Sequence, residues 1–161
     1  MKRILFYTTA TLTLAVSIGT IIAQPVIAAN NSARITSFSE FPKHIRHWST
    51  PRHTFKIAIS EQSNAVSQIV IEAPDNIVLD NNIDVSNKSG EKINAEIAID
   101  DKKKATLTFS EPIAPGTKLT IEMNQERKLR ATTGEMLYKV YANYVNSNQA
   151  VPVGIARLRV R

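Results

Sequence analysis

Ile93-Asn94-Ala95-Glu96-Ile97-Ala98-Ile99-Asp100-Asp101-Lys102-Lys103-Lys104-Ala105-Thr106-Leu107-Thr108-Phe109 is the stretch on which the fold turns. Ile93, Ala95, Ile97 and Ile99 alternate with Asn94, Glu96 and Ala98. That is the period of two by which successive side chains leave a strand on opposite faces. The charged run Asp100-Asp101-Lys102-Lys103-Lys104 then makes a tip that belongs in water, and residues 105–109 return as the second arm. The stretch reads as a β-hairpin.

The same grammar spreads in both directions. Upstream, Phe55, Ile57 and Ile59 share one face of a segment that follows Pro51, and Ile69 and Ile71 share one in residues 66–72. Residues 76–79 follow the punctuation of Pro74-Asp75, and residues 83–85 lead into Asn87-Lys88-Ser89-Gly90, where the glycine suits a turn position of positive φ. Downstream, Pro112 and Pro115-Gly116 punctuate a connection before Leu119, Ile121 and Met123. Residues 124–134 are polar and basic without an apolar period, and read as a loop or a frayed helical turn. Strands at 137–145 and 153–160 close the chain. About eight or nine short strands at this spacing, without helical periodicity, predict an all-β fold, an antiparallel β-sandwich of Ig-like type.

The N-terminal end has a different composition. Lys2 and Arg3 precede an uncharged apolar stretch, and Ile27-Ala28-Ala29 stands before the polar Asn30-Asn31-Ser32. This is the order of a secretory signal peptide cleaved after Ala28 or Ala29, with Gln24 and Pro25 loosening the helix just ahead. An uncleaved anchor is the competing reading, since about 20 uncharged residues reach across a hydrocarbon core. The chain of 161 residues therefore divides into a signal peptide at 1–29, an irregular lead-in at 30–50 and a β-sandwich domain at 51–161. The expected location is outside the cytoplasm, periplasmic or extracellular.

Removing Lys2 and Arg3 takes Lys plus Arg from 20 to 18 against 14 Asp plus Glu, so the net charge drops from +6 to about +4. The cations are interleaved with acids and accompany no aromatic-basic platform, which argues against nucleic acid as a partner. There is no cysteine. That excludes thiolate catalysis, thiolate metal sites and a lipid anchor on cysteine, and leaves the domain to hold itself by packing.

Few residues point to chemistry. His44, His47 and His53 are the three histidines and lie within ten positions. Imidazoles at that spacing suit zinc or copper if the segment folds on itself, which makes a periplasmic metal carrier the alternative function. Pro42 and Pro51 bracket the segment, and Arg46 and Arg52 would repel a cation. Nothing matches a nucleophile elbow, a phosphate-binding glycine loop or an EF-hand, so neither an enzyme nor a cofactor is expected. In the last segment Ala156, Leu158 and Val160 alternate with Arg157, Arg159 and Arg161, giving one apolar face and one row of guanidiniums. Such a row suits anionic polysaccharide or lipid headgroups, and also discourages edge-to-edge pairing. Tyr138 and Tyr144 share a face with Tyr141 opposite, where Tyr141 could stack on a sugar ring. The bland expectation for all three tyrosines is core-edge packing with the hydroxyl in water.

The segment from Pro51 onward, with Thr108-Phe109-Ser110-Glu111-Pro112-Ile113-Ala114-Pro115-Gly116-Thr117-Lys118-Leu119 at its centre, resembles an uncharacterised family of exported cyanobacterial domains. Members carry a signal peptide, a central F-x-x-P-x-x-P-G-T-x-L element and a closing G-x-A-R strand, matched here by Gly154-Ile155-Ala156-Arg157. The resemblance implies an exported all-β domain and supplies no catalytic residues. The phrase Phe109-Ser110-Glu111-Pro112 also looks like a segment of Ig-like bacterial copper carriers. The expected function is an exported, non-catalytic binding or envelope-associated module. Its candidate ligand residues are Arg157, Arg159, Arg161 and Tyr141. Its candidate partners are envelope polysaccharide, an anionic membrane surface or another exported protein.

Overall fold

A computed structural model describes residues 31–41, 51–124, 127–128, 134–147 and 149–160. Residues 1–29, where a leader is expected, and His44, His47, Trp48 and Arg161 lie outside the described residues. The strands are β1 (Arg34–Phe41), β2 (Arg52–Ala58), β3 (Val66–Glu72), β4 (Ile77–Val78), β5 (Ile83–Asn87), β6 (Ala95–Asp100), β7 (Lys104–Ile113), β8 (Lys118–Met123), β9 (Arg127–Lys128), β10 (Gly134–Tyr144) and β11 (Val151–Val160). One sheet has the order β1-β2-β8-β5, the facing one β11-β10-β3-β7-β6, and β4 and β9 form a small separate ribbon. All pairings are antiparallel. The all-β sandwich expected from the alternation is thus the fold.

The period of two decides which side chains meet between the sheets. Phe55, Ile57, Leu119, Ile121, Met123, Ile83 and Val85 leave one sheet inward, and Ile69, Ile71, Ala105, Leu107, Tyr138, Val140 and Ala142 leave the other, all buried. At about 25 cal/mol per Å² of apolar surface removed from water, this layer supplies the main stabilisation of a domain without disulfides. The hairpin predicted from the opening stretch is β6–β7, with Ile97 opposite Leu107 and Asp100 opposite Lys104. The Ala114-Pro115-Gly116-Thr117 turn closes with the Thr117 N–H donating to the Ala114 carbonyl at 3.3 Å, and Gly116 takes φ 79°. That positive φ is the reason for glycine there.

Three segments depart from the sequence reading. The irregular lead-in at 30–50 contains a strand, β1, which pairs with β2 along its length and carries a bulge between Ile35 and Ser37. Its inward residues Ile35, Phe38 and Glu40 are only half-buried, and the extra bulge residue breaks the alternation, so no clean period shows. Pro112 does not end β7. The strand continues through an irregularity in which Val66 of β3 pairs with Ile113 and Gln68 with Thr108, leaving 109–112 without regular partners on β3. A bulge is where a strand tolerates proline. Within the loop expected at 124–134, Arg127 and Lys128 pair with β4.

At the β6–β7 tip, Asp101 and Lys102 both take positive φ, 47° and 56°, and the Lys103 N–H donates to the Asp100 carbonyl at 2.9 Å. Aspartate tolerates this conformation, whereas a lysine there costs about 1–2 kcal/mol. The Lys102 side chain is exposed, and its carbonyl accepts the Leu79 N–H at 2.9 Å, a bond that any residue would keep. Lys102→Gly, creating the favoured Asp-Gly pair, should therefore raise stability by about 1 kcal/mol. Urea unfolding checks it, as a higher midpoint at unchanged slope.

Candidate binding face

Strand β10 lies between β11 and β3, so its outward side chains sit in the middle of an exposed three-strand surface. Met136, Tyr138, Val140, Ala142 and Tyr144 take the inward phase and are buried. The outward phase holds Glu135, Leu137, Lys139, Tyr141 and Asn143. Register sets Glu135 opposite Arg159, Leu137 opposite Arg157, Lys139 opposite Ile155 and Tyr141 opposite Pro152. On the other side Lys139 faces Glu72 and Tyr141 faces Val70.

The result is a checkerboard in which each exposed aliphatic has a cation beside it. Leu137 is 40% and Ile155 56% exposed, unusual for large apolar residues on a regular strand. Arg159 Nη2 pairs with Glu135 Oε1 at 3.3 Å and Lys139 Nζ stands 4.0 Å from Glu72 Oε2. Arg157 makes no ion pair within the described residues. Exposed pairs of this kind contribute about 0–1 kcal/mol, so their arrangement bears on recognition more than on stability.

Of the residues singled out from the sequence, Arg157, Arg159 and Tyr141 come together on this face, the arginines exposed and Tyr141 half-buried. Leu137 and Ile155 were missed. Their signal was an apolar residue standing in the polar phase of a strand.

His53 lies elsewhere, and differently from an accessible metal ligand. It is the inward residue of β2, fully buried, with Nδ1 2.7 Å from the Tyr138 hydroxyl and Nε2 3.4 Å from Glu40 Oε1. Phe38 and Tyr138 pack on its ring at centroid distances of 5.6 and 5.4 Å. Both ring nitrogens are thus occupied between the sheets, and among the described residues no group of three His, Cys, Asp or Glu gathers to hold a metal. The hydroxyls of Tyr138 and Tyr144 also turn away from water: Tyr138 reaches His53, and Tyr144 accepts the buried Ala33 N–H at 2.7 Å. A buried phenol needs such a partner.

Comparison with known proteins agrees with this architecture. Similar solved structures include BslA, a bacterial hydrophobin, with a TM-score of 0.50 and 11% identity over 81% of this chain and 94% of that one. The RrgA Jo.In complex gives 0.49 and 12%, over 81% and 78%. The collagen-binding domain from a Staphylococcus aureus adhesin gives 0.41 and 11%, over 71% and 90%. At such identities the likeness concerns the fold alone. No curated protein matches the chain by sequence. One family profile matches residues 26–158, which takes in every strand from β1 through most of β11, and by that match the chain belongs to the family described as protein of unknown function (DUF2808).

Proposed function

We propose that the chain is an exported, non-catalytic binding module that works at the cell envelope and docks through the β10–β11 face onto an anionic lipid surface. The leader read at residues 1–29 and the resemblance to exported cyanobacterial domains support export. The observation that carries the docking is the pairing of exposed Leu137 and Ile155 with Arg157 and Lys139 on one sheet surface. Aliphatic side chains that enter the headgroup boundary, beside cations that meet phosphate, are the composition of an interfacial surface. Tyr141 belongs to the same face, and a half-buried phenol suits the boundary between apolar and wet layers.

Flotation with vesicles tests this. The protein should rise with vesicles rich in phosphatidylglycerol and stay behind with pure phosphatidylcholine. Each cation near the surface contributes about 1 kcal/mol, so Arg157→Ala should weaken binding about fivefold. Raising the salt tenfold shortens the screening length from about 10 Å to about 3 Å and should release it. Equal flotation with both lipids would end the proposal.

A further inference from the structure

We propose that the outer face of the four-stranded sheet is a second binding face that takes an anionic polysaccharide chain, independently of the β10–β11 face. Register places Arg34 of β1 opposite Ala58 of β2, and Ala58 opposite Lys118 of β8. Lys56, two residues along β2 from Ala58, points to the same outer side between Ser37 and Thr120. Arg34, Lys56 and Lys118 are all exposed, and none makes an ion pair within the described residues. The charges at the other end of the same face are neutralised instead. Arg52 Nη1 lies 3.6 Å from Glu122 Oε2, and Lys92 Nζ 3.3 Å from Asp84 Oδ1.

What surrounds the three cations fits a sugar polymer. Ser37, Ser39, Thr54, Thr120 and Ser86 form the outward rows beside them, an array of hydroxyls on the same face. The only large exposed hydrophobic on this face among the described residues is Phe41, at the far end with the Arg52 guanidinium 5.8 Å from its ring centre. An open cavity of about 360 Å³ continues the basic end, walled by Arg34, Lys118, Ser32, Ser60 and Gln62, with Glu61 as its one carboxylate.

Spacing separates a polymer from a free anion. Strands about 4.8 Å apart put Arg34 and Lys118 about 10 Å from each other, with Lys56 about 7 Å further along. No single sulfate, phosphate or carboxylate spans three cations so placed, whereas an extended chain with repeated anionic groups meets each in turn. The absence of aromatic side chains among the cations disfavours a nucleic acid, whose bases need stacking partners.

Calorimetry on the full chain at low salt tests the inference with dextran sulfate, neutral dextran, inorganic sulfate and poly(dT) as probes. Dextran sulfate should bind, and neutral dextran should not. Inorganic sulfate at equal anion concentration should not compete. Lys56→Ala and Lys118→Ala should each weaken dextran sulfate about tenfold, the scale of one charge-assisted contact. Lys102→Ala, which removes the same charge from the exposed β6–β7 tip of the other sheet, should leave affinity as it was. Both kinds of variant are exposed and should melt with the wild type. Equal losses from Lys56→Ala and Lys102→Ala would overturn the proposal, as would effective competition by inorganic sulfate, or tighter binding of poly(dT).

Discussion

Tyr138→Ala should destabilise the domain by about 4–8 kcal/mol, enough to leave a protein of ordinary stability partly unfolded at room temperature. Two losses add. The ring is fully buried on β10, and truncating a buried aromatic costs about 3–5 kcal/mol for transfer and cavity together. Its hydroxyl also meets His53 Nδ1 at 2.7 Å, so truncation strands a buried imidazole nitrogen, at a further cost of about 1–3 kcal/mol. Tyr138→Phe separates the two, because it keeps the ring and removes only the bond that crosses from one sheet to the other. Its expected cost is the second figure alone, about 1–3 kcal/mol. Denaturant titration of both variants reads the difference directly. A Tyr138→Phe protein as stable as the wild type would show that the His53–Tyr138 contact contributes nothing.

Phe55→Ala should cost about 3–5 kcal/mol, with no polar component. Phe55 is fully buried on β2, 4.7 Å from the Phe38 ring and 5.4 Å from that of Tyr138. The tilted and edge-to-face contacts add about 0.5–1.5 kcal/mol each beyond area burial. Phe55→Leu keeps most of the volume and should lose less than half as much. Combined with Tyr138→Ala, the double variant should be more stable than the sum of the single losses implies, because the two rings share one contact and one cavity. Additive losses from the two substitutions would contradict the packing of β2 against β10 described above.

How far the sequence carried varies with how cleanly each strand buries one face. The β6–β7 hairpin, β2, β8 and β3 from Ile69 onward were legible because their inward residues recur with a period of two and are buried or packed against the core. β1 was not. Its contact with the core is made by half-buried Ile35 and Phe38, across a bulge that shifts their phase. Pro112 reads as a terminator in any sequence, and only the unpaired stretch opposite Ser67 reveals that β7 runs past it.

The candidate face was half legible. Arg157 and Arg159 stood out by alternation, and Tyr141 by its opposite phase to Tyr138 and Tyr144. Leu137 and Ile155 were marked only by standing in the polar phase of their strands, a weak mark in a chain whose strands are full of aliphatics. Their meaning depends on the pairing of β10 with β11, which no short window contains. His53 shows the converse limit. Three histidines close in sequence suggested a shared ligand set, yet the inward phase of β2 carries His53 into the core, onto Tyr138 from a strand 85 residues away.

The two proposed faces differ in composition: aliphatic and cationic on the β10–β11 side, hydroxyl-rich and cationic on the other. The measurement that tests the central claim most directly is anionic-vesicle flotation of Leu137→Asp/Ile155→Asp, a variant that keeps Arg157, Arg159 and Lys139 and alters only side chains already exposed. Insertion of the aliphatics predicts that it stays in the unbound fraction while unfolding at the wild-type midpoint; flotation reduced no more than by moving the same two aspartates to Asn81 and Ser89, exposed on the loops flanking β5, would contradict the account.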